Sequence, residues 1–212
     1  MIISKNVVLK VIFVALLLLF ISNAYSAEKL IKVILYGDSL MVGYGLAQNE
    51  NLEAQLSQKF IDDNRQINLI NASASGNTSS NGLARLEWSL DDQPDIVILS
   101  LGANDMLRGI NPKLTQQNLD KIINKINNTG AVVILAGMRS PENMGPEYQQ
   151  QFDRIYPTLA QMHGLILMPF LLEDVALEKE HLQSDYKHPN AEGVRVMANN
   201  LYPFILKAMG LL

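Results

Sequence analysis

Five short apolar runs alternate with longer stretches of helical spacing, and this alternation constrains the fold more than any other feature of the chain. The runs are bounded by turn residues and are rich in Val, Ile and Leu, as is typical of parallel strands buried on both faces. They are Ile31–Tyr36, Ile67–Ile70, Asp95–Leu101, Ala131–Ala136 and Leu165–Met168. The pattern predicts an α/β fold with a doubly wound, parallel five-stranded sheet and helices on both faces.

The stretches between these runs predict the helices of the fold. The third has the clearest boundaries, because Asn111 can cap it, Pro112 takes the first helical position and Gly130 follows its end. The sequence has no internal repeat, low-complexity tract or linker, so we expect one domain over residues 27–212. The predicted helices are 49–62, 78–91, 112–128, 147–163 and 190–209.

The N-terminal segment has the three parts of a secretory signal peptide. Lys5 and Lys10 precede an unbroken apolar run, Val11–Ile21, and the small residues Ala24 and Ser26 follow at the −3 and −1 positions of a cut after Ser26. The run is well short of the ~20 residues needed to cross a bilayer. We therefore predict that residues 1–26 are removed and that the protein is periplasmic or secreted, without stable membrane insertion. An uncleaved membrane anchor is the alternative.

Charge and cysteine content exclude several classes of protein. Removal of the predicted signal peptide takes away two lysines, which leaves 15 basic and 21 acidic side chains and a net charge of −6. Nucleic-acid binding needs clustered Lys and Arg, so this acidic balance argues against a nucleic-acid partner. The chain has no cysteine. Disulfides and lipoprotein anchoring are therefore excluded, and a thiol-independent mechanism is favoured.

Four short segments, far apart in the chain, carry the polar groups that acyl transfer requires. The first three each follow a predicted strand, and ligands of such sheets bind beyond the carboxyl ends of the strands. The fourth lies just before the last predicted helix. We therefore expect the four to converge at one edge of the sheet. They are Gly37–Leu40, Asn71–Asn77, Gly102–Asp105 and Asp185–Pro189.

Ser39, His188 and Asp185 are the candidate catalytic triad. A serine hydroxyl is a weak nucleophile until a base takes its proton. Of the other histidines, His163 lies in a predicted helix and His181 in a polar connection, so His188 is the candidate base. Its spacing from Asp185 lets one turn bring the carboxylate to one imidazole nitrogen and leave the other to face Ser39. The alternatives are a turn serine and a helix-capping aspartate beside an exposed histidine.

Three groups are candidates for an oxyanion hole: the backbone N–H groups of Ser39 and Gly76, and the side-chain amide of Asn104. Turn glycine and turn asparagine are the alternatives. Asp38 and Asp105 flank these candidates without an obvious proton to move, and we interpret them as acceptors that order the loops. A metal site is not expected, since the chain has no His-Glu-x-x-His motif and no cysteine, and its three histidines are poorly placed to converge. A Gly-rich phosphate-binding loop with a following Lys-Ser or Lys-Thr is not present either. No cofactor is expected either.

The loop from Met138 to Tyr148 follows the fourth predicted strand and should overhang the same edge as Ser39. Pro141, Gly145 and Pro146 are expected to keep this loop irregular. Apolar side chains of the loop, together with two that follow the third strand, are expected to line an acyl groove. The alternative is that they only pack the loop against the domain. The expected groove residues are Met106, Leu107, Met138, Met144 and Tyr148.

The four segments resemble the conserved blocks of the SGNH (GDSL) hydrolases, whose name lists one Ser, Gly, Asn and His. In this chain those residues are Ser39, Gly76, Asn104 and His188, with Asp185 completing the triad. The resemblance covers most of the chain after the predicted signal peptide. It is closest to the bacterial periplasmic acyl-CoA thioesterase I, lysophospholipase L1 and arylesterase branch. The stretches that resemble this branch specifically are 82–86, 104–109 and 155–160.

The resemblance implies a flavodoxin-like three-layer α/β/α sandwich and a monomeric, cofactor-free serine esterase. Its expected substrate is a small-molecule acyl ester or thioester, as for thioesterases and lysophospholipases. Two departures leave the substrate range open: Ala103 stands where a glycine is common, and Asn77 where an acidic residue often follows the oxyanion glycine. The alternatives are a carbohydrate acetyl esterase on the same scaffold and a binding module without catalysis.

Overall fold

A five-stranded, all-parallel sheet forms the centre of the fold. The computed structural model describes residues 30–212, and the predicted signal peptide lies outside these residues. The strands are β1 (Ile31–Gly37), β2 (Ile67–Asn71), β3 (Ile96–Ser100), β4 (Val132–Ala136) and β5 (Ile166–Met168). Their order is β2-β1-β3-β4-β5, which is the flavodoxin-like order. The prediction of a parallel α/β fold is confirmed.

All five strands lie within one residue of their predicted bounds, but their burial differs. Every residue of β3 is buried, and so is β1 from Val33 onward. The prediction that all five are buried on both faces is wrong for β2 and β5, which are largely half-buried. These two strands form the edges of the sheet, where the helical layers cover them less completely.

Helices cover both sides of the sheet. The helices are α1 (Ser39–Val42), α2 (Leu52–Asp62), α3 (Ser79–Leu90), α4 (Ala103–Leu107), α5 (Pro112–Asn127), α6 (Pro146–Asp153), α7 (Ile155–His163) and α8 (Ala191–Ala208). On one side α5 packs against α3 and α7, and on the other α2 packs against α8. Short 3-10 turns lie at Gln48–Glu50, Glu142–Met144 and Lys179–His181.

The start of α5 is as predicted. The Asn111 side chain accepts a hydrogen bond from the Lys113 N–H, and Pro112 occupies the first helical position. Past the end of the helix, Gly130 has a φ of +84°. Because glycine pays no steric cost in this left-handed region, it can turn the chain from the helix towards β4.

The prediction of one helix over residues 147–163 is wrong, because the chain breaks at Arg154 into α6 and α7. Pro157 has no N–H to donate to the Asp153 carbonyl, so a continuous helix would lose that hydrogen bond and its ring would crowd the preceding turn. The prediction that Pro146 keeps its loop irregular is also wrong. Pro146 starts α6, where its missing N–H costs nothing.

Two short helices begin directly after the central strands β1 and β3. Asp38 caps α1, its carboxylate accepting from the Leu40 N–H at 3.1 Å. Gly102 precedes α4 with a φ of +120°, and a Cβ there would overlap the hydroxyl of the buried Tyr156. That hydroxyl donates to the Leu101 carbonyl at 3.0 Å. Glycine is therefore required where the chain turns from β3 into α4.

A matched pair of glycines can test how much close backbone approach matters beside α1. Gly43 and Gly130 have nearly equal φ, +79° and +84°, but only Gly43 faces a neighbour: a Cβ there would lie 2.5 Å from the Asn51 Cβ. Gly130→Ala should cost about 1–2 kcal/mol from left-handed strain alone. Gly43→Ala should cost about 1–3 kcal/mol more through overpacking. Urea unfolding of both variants measures the difference, and equal losses would contradict the role of the Asn51 contact.

Candidate active site

The loops that follow three adjacent strands meet at the carboxyl edge of the sheet. Ser39 begins α1 just after β1, Gly76 lies in the loop after β2, and Asn104 lies in α4 just after β3. Because β1 pairs with both β2 and β3, the three segments are neighbours. The strand order reverses at β1, and ligands of open α/β sheets bind at such a point.

Ser39, His188 and Asp185 form a continuous hydrogen-bonded line. The His188 Nε2 lies 2.9 Å from the Ser39 Oγ, and the His188 Nδ1 lies 2.6 Å from the Asp185 Oδ2. The other oxygen of Asp185 accepts the backbone N–H groups of Lys187 and His188, each at 3.0 Å. The structure therefore brings together all three residues of the candidate triad.

The surroundings of Asp185 favour its ionised form. The hydrogen bond from the His188 ring is the largest cause, followed by those from the backbone N–H groups of His188 and Lys187, and together they hold the pKa of the carboxyl well below its usual range. A carboxylate that stays charged can orient the imidazole and stabilise its protonated form.

An isolated antiparallel β-bridge closes the segment that carries His188. Leu182 pairs with Pro189, and the Gln183 N–H donates to the His188 carbonyl at 2.8 Å. The Gln183 side-chain amide donates to the Tyr44 carbonyl at 2.7 Å and to the Pro189 carbonyl at 2.9 Å. The Tyr44 ring also lies against the His188 ring, with centroids 4.8 Å apart. These contacts join the histidine segment to the chain just after α1.

The sequence pattern does not identify Gln183 or Tyr44 as site residues. The available signal was the position of Gln183 two residues before Asp185, and that of Tyr44 between two glycines close behind Ser39. Both side chains act through contacts between segments distant in the chain. Neither position is distinguished by composition or periodicity, so the contacts become visible only in the fold.

The candidate oxyanion donors are of two kinds. Among residues 30–212, the backbone N–H groups of Ser39 and Gly76 have no hydrogen-bond acceptor. The Asn104 Nδ2 has two: it donates to the Asp38 Oδ2 at 3.2 Å and to the Asn77 carbonyl at 3.1 Å. Both distances are at the long end of the ordinary range. These partners hold the amide beside the two backbone donors.

Asp38 is a buried carboxyl, 1 % exposed, between the first and third segments. One oxygen accepts the Leu40 N–H and the other accepts the Asn104 amide, so its interpretation as a loop-ordering acceptor is confirmed. Burial raises the pKa of Asp38 from 3.8 to about 6, although the Leu40 and Asn104 hydrogen bonds and the nearby His188 oppose the rise.

Asp105 orders the neighbouring helices in the same manner. One of its oxygens accepts the Ser79 N–H at 2.7 Å, and the other accepts the hydroxyls of Ser79 at 2.5 Å and Thr115 at 3.2 Å. The Asn118 side chain donates to the Ser79 hydroxyl at 3.0 Å. The carboxylate therefore sits at the N-terminus of α3, where it also complements the helix dipole. The interpretation of Asp105 as a loop-ordering acceptor is confirmed.

The five expected groove residues divide into buried and accessible ones. Met106 and Met138 are only 7 % and 5 % exposed and belong to the core, so they do not line an open groove in this structure. Leu107 is 58 % exposed, and Met144 and Tyr148 are half-buried. Adjacent residues of a helix point in different directions, and in α4 Met106 takes the buried side while Leu107 takes the exposed side.

One expected wall of the groove contacts the segment that follows the other wall. The Tyr148 hydroxyl donates to the Ile110 carbonyl at 2.9 Å, which joins α6 to the segment after α4. At the base of the loop, the Ser140 N–H donates to the Asp153 carboxylate at 2.8 Å, and the Gln149 amide donates to the Ser140 carbonyl at 3.1 Å. The loop is therefore anchored at both ends.

The described part of the chain has neither a cluster of metal-binding side chains nor a helix that could span a membrane. Within residues 30–212, no group of three or more His, Asp or Glu side chains is arranged to hold a metal ion. Over the same residues, no helix combines the length and apolarity that crossing a membrane requires.

The raised pKa of Asp38 predicts a pH dependence of stability. Between pH 3.8 and about 6 the folded chain binds a proton that the unfolded chain has released, so the free energy of unfolding falls as the pH rises through this window. The contribution is at most about 3 kcal/mol. Asp38→Asn should remove it, and urea unfolding at about pH 4 and pH 7 measures the change.

The same substitution at the exposed Asp91 is the control, and its pH dependence should match that of the parent protein. Asp38→Asn also alters the hydrogen bond with Asn104 at every pH, so the comparison uses only the difference between the two pH values. Parallel pH dependences of the parent protein and Asp38→Asn would contradict the prediction.

Comparisons with known proteins agree with this geometry. The model of the GDSL-like Lipase/Acylhydrolase family matches residues 35–196, which include all four segments. The chain is 39 % identical over 177 residues to an arylesterase of Vibrio mimicus, an alignment that covers 83 % of this chain and 88 % of the relative. It is 36 % identical over 178 residues to the thioesterase 1/protease 1/lysophospholipase L1 of Escherichia coli (strain K12), covering 82 % and 84 %.

The fold also matches a solved esterase. The structure of the psychrotrophic esterase EstA from Pseudoalteromonas sp., inhibited by monoethylphosphonate, superposes with a TM-score of 0.80 at 34 % identity. The match covers 84 % of this chain and 99 % of that one. The family match spans most of the chain, and the relatives align along nearly their whole length. The chain therefore belongs to the GDSL-like lipase/acylhydrolase family and is an ester-bond hydrolase.

Proposed function

We propose that this enzyme hydrolyses carboxylic ester and thioester bonds of small acyl substrates through a Ser39–His188–Asp185 triad. The observation that carries the proposal is the unbroken line of contacts, 2.9 Å from the Ser39 Oγ to the His188 Nε2 and 2.6 Å from the His188 Nδ1 to Asp185. A nucleophile within reach of a base, and a base oriented by a third group, is the arrangement that activated serine requires.

In the acylation step, the Ser39 Oγ attacks the acyl carbonyl while the His188 Nε2 takes its proton. The C–O bond to Ser39 forms, and the carbonyl electron pair moves to the oxygen as an oxyanion. Asp185, held ionised by its three hydrogen bonds, stabilises the imidazolium. His188 then gives the proton to the leaving alcohol or thiol as the acyl bond to that group breaks.

In the deacylation step, a water molecule takes the place of the leaving group. His188 accepts a proton from this water as its oxygen attacks the acyl carbonyl of the acylated Ser39. The bond to Ser39 breaks, the serine oxygen recovers the proton from His188, and the carboxylic acid is released. The same three side chains therefore serve both halves of the reaction without a cofactor.

The oxyanion is stabilised by the N–H groups of Ser39 and Gly76 and by the Asn104 amide. The two backbone donors have no acceptor among the described residues, which supports this role. The Asn104 amide must share or give up one of its long hydrogen bonds, to Asp38 or to the Asn77 carbonyl, as charge develops on the substrate oxygen.

The relatives support the substrate class. One is named an arylesterase, and another a thioesterase and lysophospholipase, so both ester and thioester leaving groups occur among proteins similar to this chain. Leu107, Met144 and Tyr148 are accessible enough to contact an acyl chain. We further propose that the enzyme is exported to the periplasm or beyond by the signal peptide at residues 1–26, and that it acts as a monomer.

Replacing the nucleophile tests the proposal directly. Ser39→Ala should reduce kcat for p-nitrophenyl esters by at least ~10³-fold with the fold intact, because only binding and oxyanion stabilisation remain. A fluorophosphonate should label Ser39 alone, as judged by peptide mass spectrometry. Ser80→Ala, an exposed serine in the first turn of α3, is the control and should retain full activity. Labelling at another serine, or near-normal turnover by Ser39→Ala, would contradict the assignment of Ser39 as the nucleophile.

Acyl length tests the groove. Each buried methylene contributes up to ~0.8 kcal/mol, or about fourfold in kcat/KM, so hydrolysis of p-nitrophenyl esters should rise from acetate to a medium-chain optimum. Leu107→Asp should depress the longer substrates selectively. Ile61→Asp is the matched control, because Ile61 is similarly exposed but lies near the opposite edge of the sheet. An optimum at acetate, with acetylated sugars better still, would favour a carbohydrate esterase.

A further inference from the structure

One half-buried arginine on α3 binds the segments that carry two of the proposed oxyanion donors. The Arg85 Nη2 donates to the Gly37 carbonyl at 3.0 Å, and its Nε donates to the Asn77 Oδ1 at 2.6 Å. Its Nη1 donates to the Ala72 carbonyl in a short hydrogen bond. Three nitrogens of one planar group therefore bind three acceptors, one at the end of β1 and two in the loop after β2.

These acceptors flank the proposed donors closely. Gly37 lies two residues before Ser39, while Asn77 follows Gly76 directly and Ala72 begins the same loop. The Asn77 backbone carbonyl in turn accepts the Asn104 amide. Arg85 therefore binds a residue two positions before Ser39 and a residue adjacent to Gly76, and Asn77 connects it to the Asn104 amide as well. It contacts none of the reacting atoms itself.

The guanidinium is itself held in a fixed orientation. It lies over the buried Tyr36 ring, 4.2 Å from its centroid, and the Tyr36 hydroxyl donates to the Gly82 carbonyl at 2.6 Å. Burial raises the pKa of Tyr36 to about 12, so this hydroxyl stays protonated and remains a donor. Gly82 lies on α3, one turn before Arg85. The ring thus fixes both the guanidinium and the helix that carries it.

All three acceptors of Arg85 are neutral oxygens, two backbone carbonyls and one side-chain amide. Hydrogen bonds from a charged donor are roughly twice as strong as those between neutral groups. A guanidinium presents its donors in a rigid fork, whereas a lysine ammonium is a single point that cannot reach three separated acceptors at once. The geometry therefore requires arginine specifically.

We propose that Arg85 is the positioning residue of the oxyanion hole. By joining Gly37 to the loop after β2, it fixes the separation of the Ser39 and Gly76 N–H groups and so their aim at one substrate oxygen. This inference rests on the proposed function, because it assigns Arg85 a role in that same site. Preorganised donors lose most of their effect when they move by a fraction of an ångström to an ångström.

The test replaces Arg85 with Lys, which keeps the charge, and with Met, which keeps the apolar stem. Both should lower kcat for p-nitrophenyl esters by about 10–100-fold and change KM by less than about twofold, since the donors act mainly on transition-state charge. The affinity for a trifluoromethyl ketone, which forms a tetrahedral adduct with a serine, should fall by the same factor as kcat/KM. Circular dichroism and thermal unfolding check that each variant is folded.

Two further variants sharpen the comparison. Asn77→Ala removes one side-chain acceptor while leaving the backbone carbonyl that binds Asn104, so it should lower kcat less than either Arg85 variant and leave KM unchanged. Arg195→Lys is the matched control. Arg195 is exposed on α8, where its side chain binds Glu192 of the same helix and no segment of the proposed oxyanion hole, so activity should stay near that of the parent protein.

A folded Arg85→Lys with kcat within twofold of the parent protein would overturn the inference. So would a rise in KM that accounts for the whole loss of kcat/KM, or unchanged affinity for the ketone. If Arg85→Met does not fold, Arg85→Lys and Asn77→Ala still decide the question. These failures are distinct from failure of the triad, which would appear as activity of Ser39→Ala or as fluorophosphonate labelling elsewhere.

Discussion

The pairing of β1 with a parallel neighbour on each side is the constraint on which the rest of the site depends. The register sets Gly37 opposite Ser100 and Leu35 opposite Asn71, so β3 ends level with β1 and β2 ends two residues earlier at the same edge. Each then releases its chain into a loop or short helix at one edge. Groups that are 37 and 28 residues apart in the chain, Ser39 to Gly76 and Gly76 to Asn104, therefore become neighbours.

Two acidic side chains at this edge are removed from water, and the fold provides each of them with specific hydrogen-bond partners. Asp38 and Asp105 are both 1 % exposed, yet every contact they make orders a segment of the site: Asp38 joins α1 to α4, and Asp105 joins α4 to α3 and α5. An unpaired carboxylate at either position would be costly. The two acids therefore order the segments of the site while taking no part in the proposed chemistry.

Much of the fold could be predicted from the sequence because buried parallel strands have an unmistakable composition. The candidate triad could also be predicted from the sequence, since the short spacing of Asp185 and His188 limits their geometry to one turn. The burial of Met106 and Met138 could not be predicted from the sequence, because a five-residue helix and a strand end are too short for periodicity to separate buried from exposed positions. The sequence does not identify Arg85 as a site residue, because its acceptors are mainly backbone carbonyls, which no side-chain pattern encodes.

The closed segment from Leu182 to Pro189 carries both the acid and the base of the proposed triad. Only three residues separate Asp185 from His188, whereas 149 separate His188 from Ser39. The entropy of aligning the acid with the base is thus lost locally, when this segment forms. The triad is then completed when the Asp185–His188 pair packs against Ser39. Substitutions elsewhere at this edge of the sheet can then change the substrate range of the enzyme, while the Asp185–His188 pair keeps its geometry.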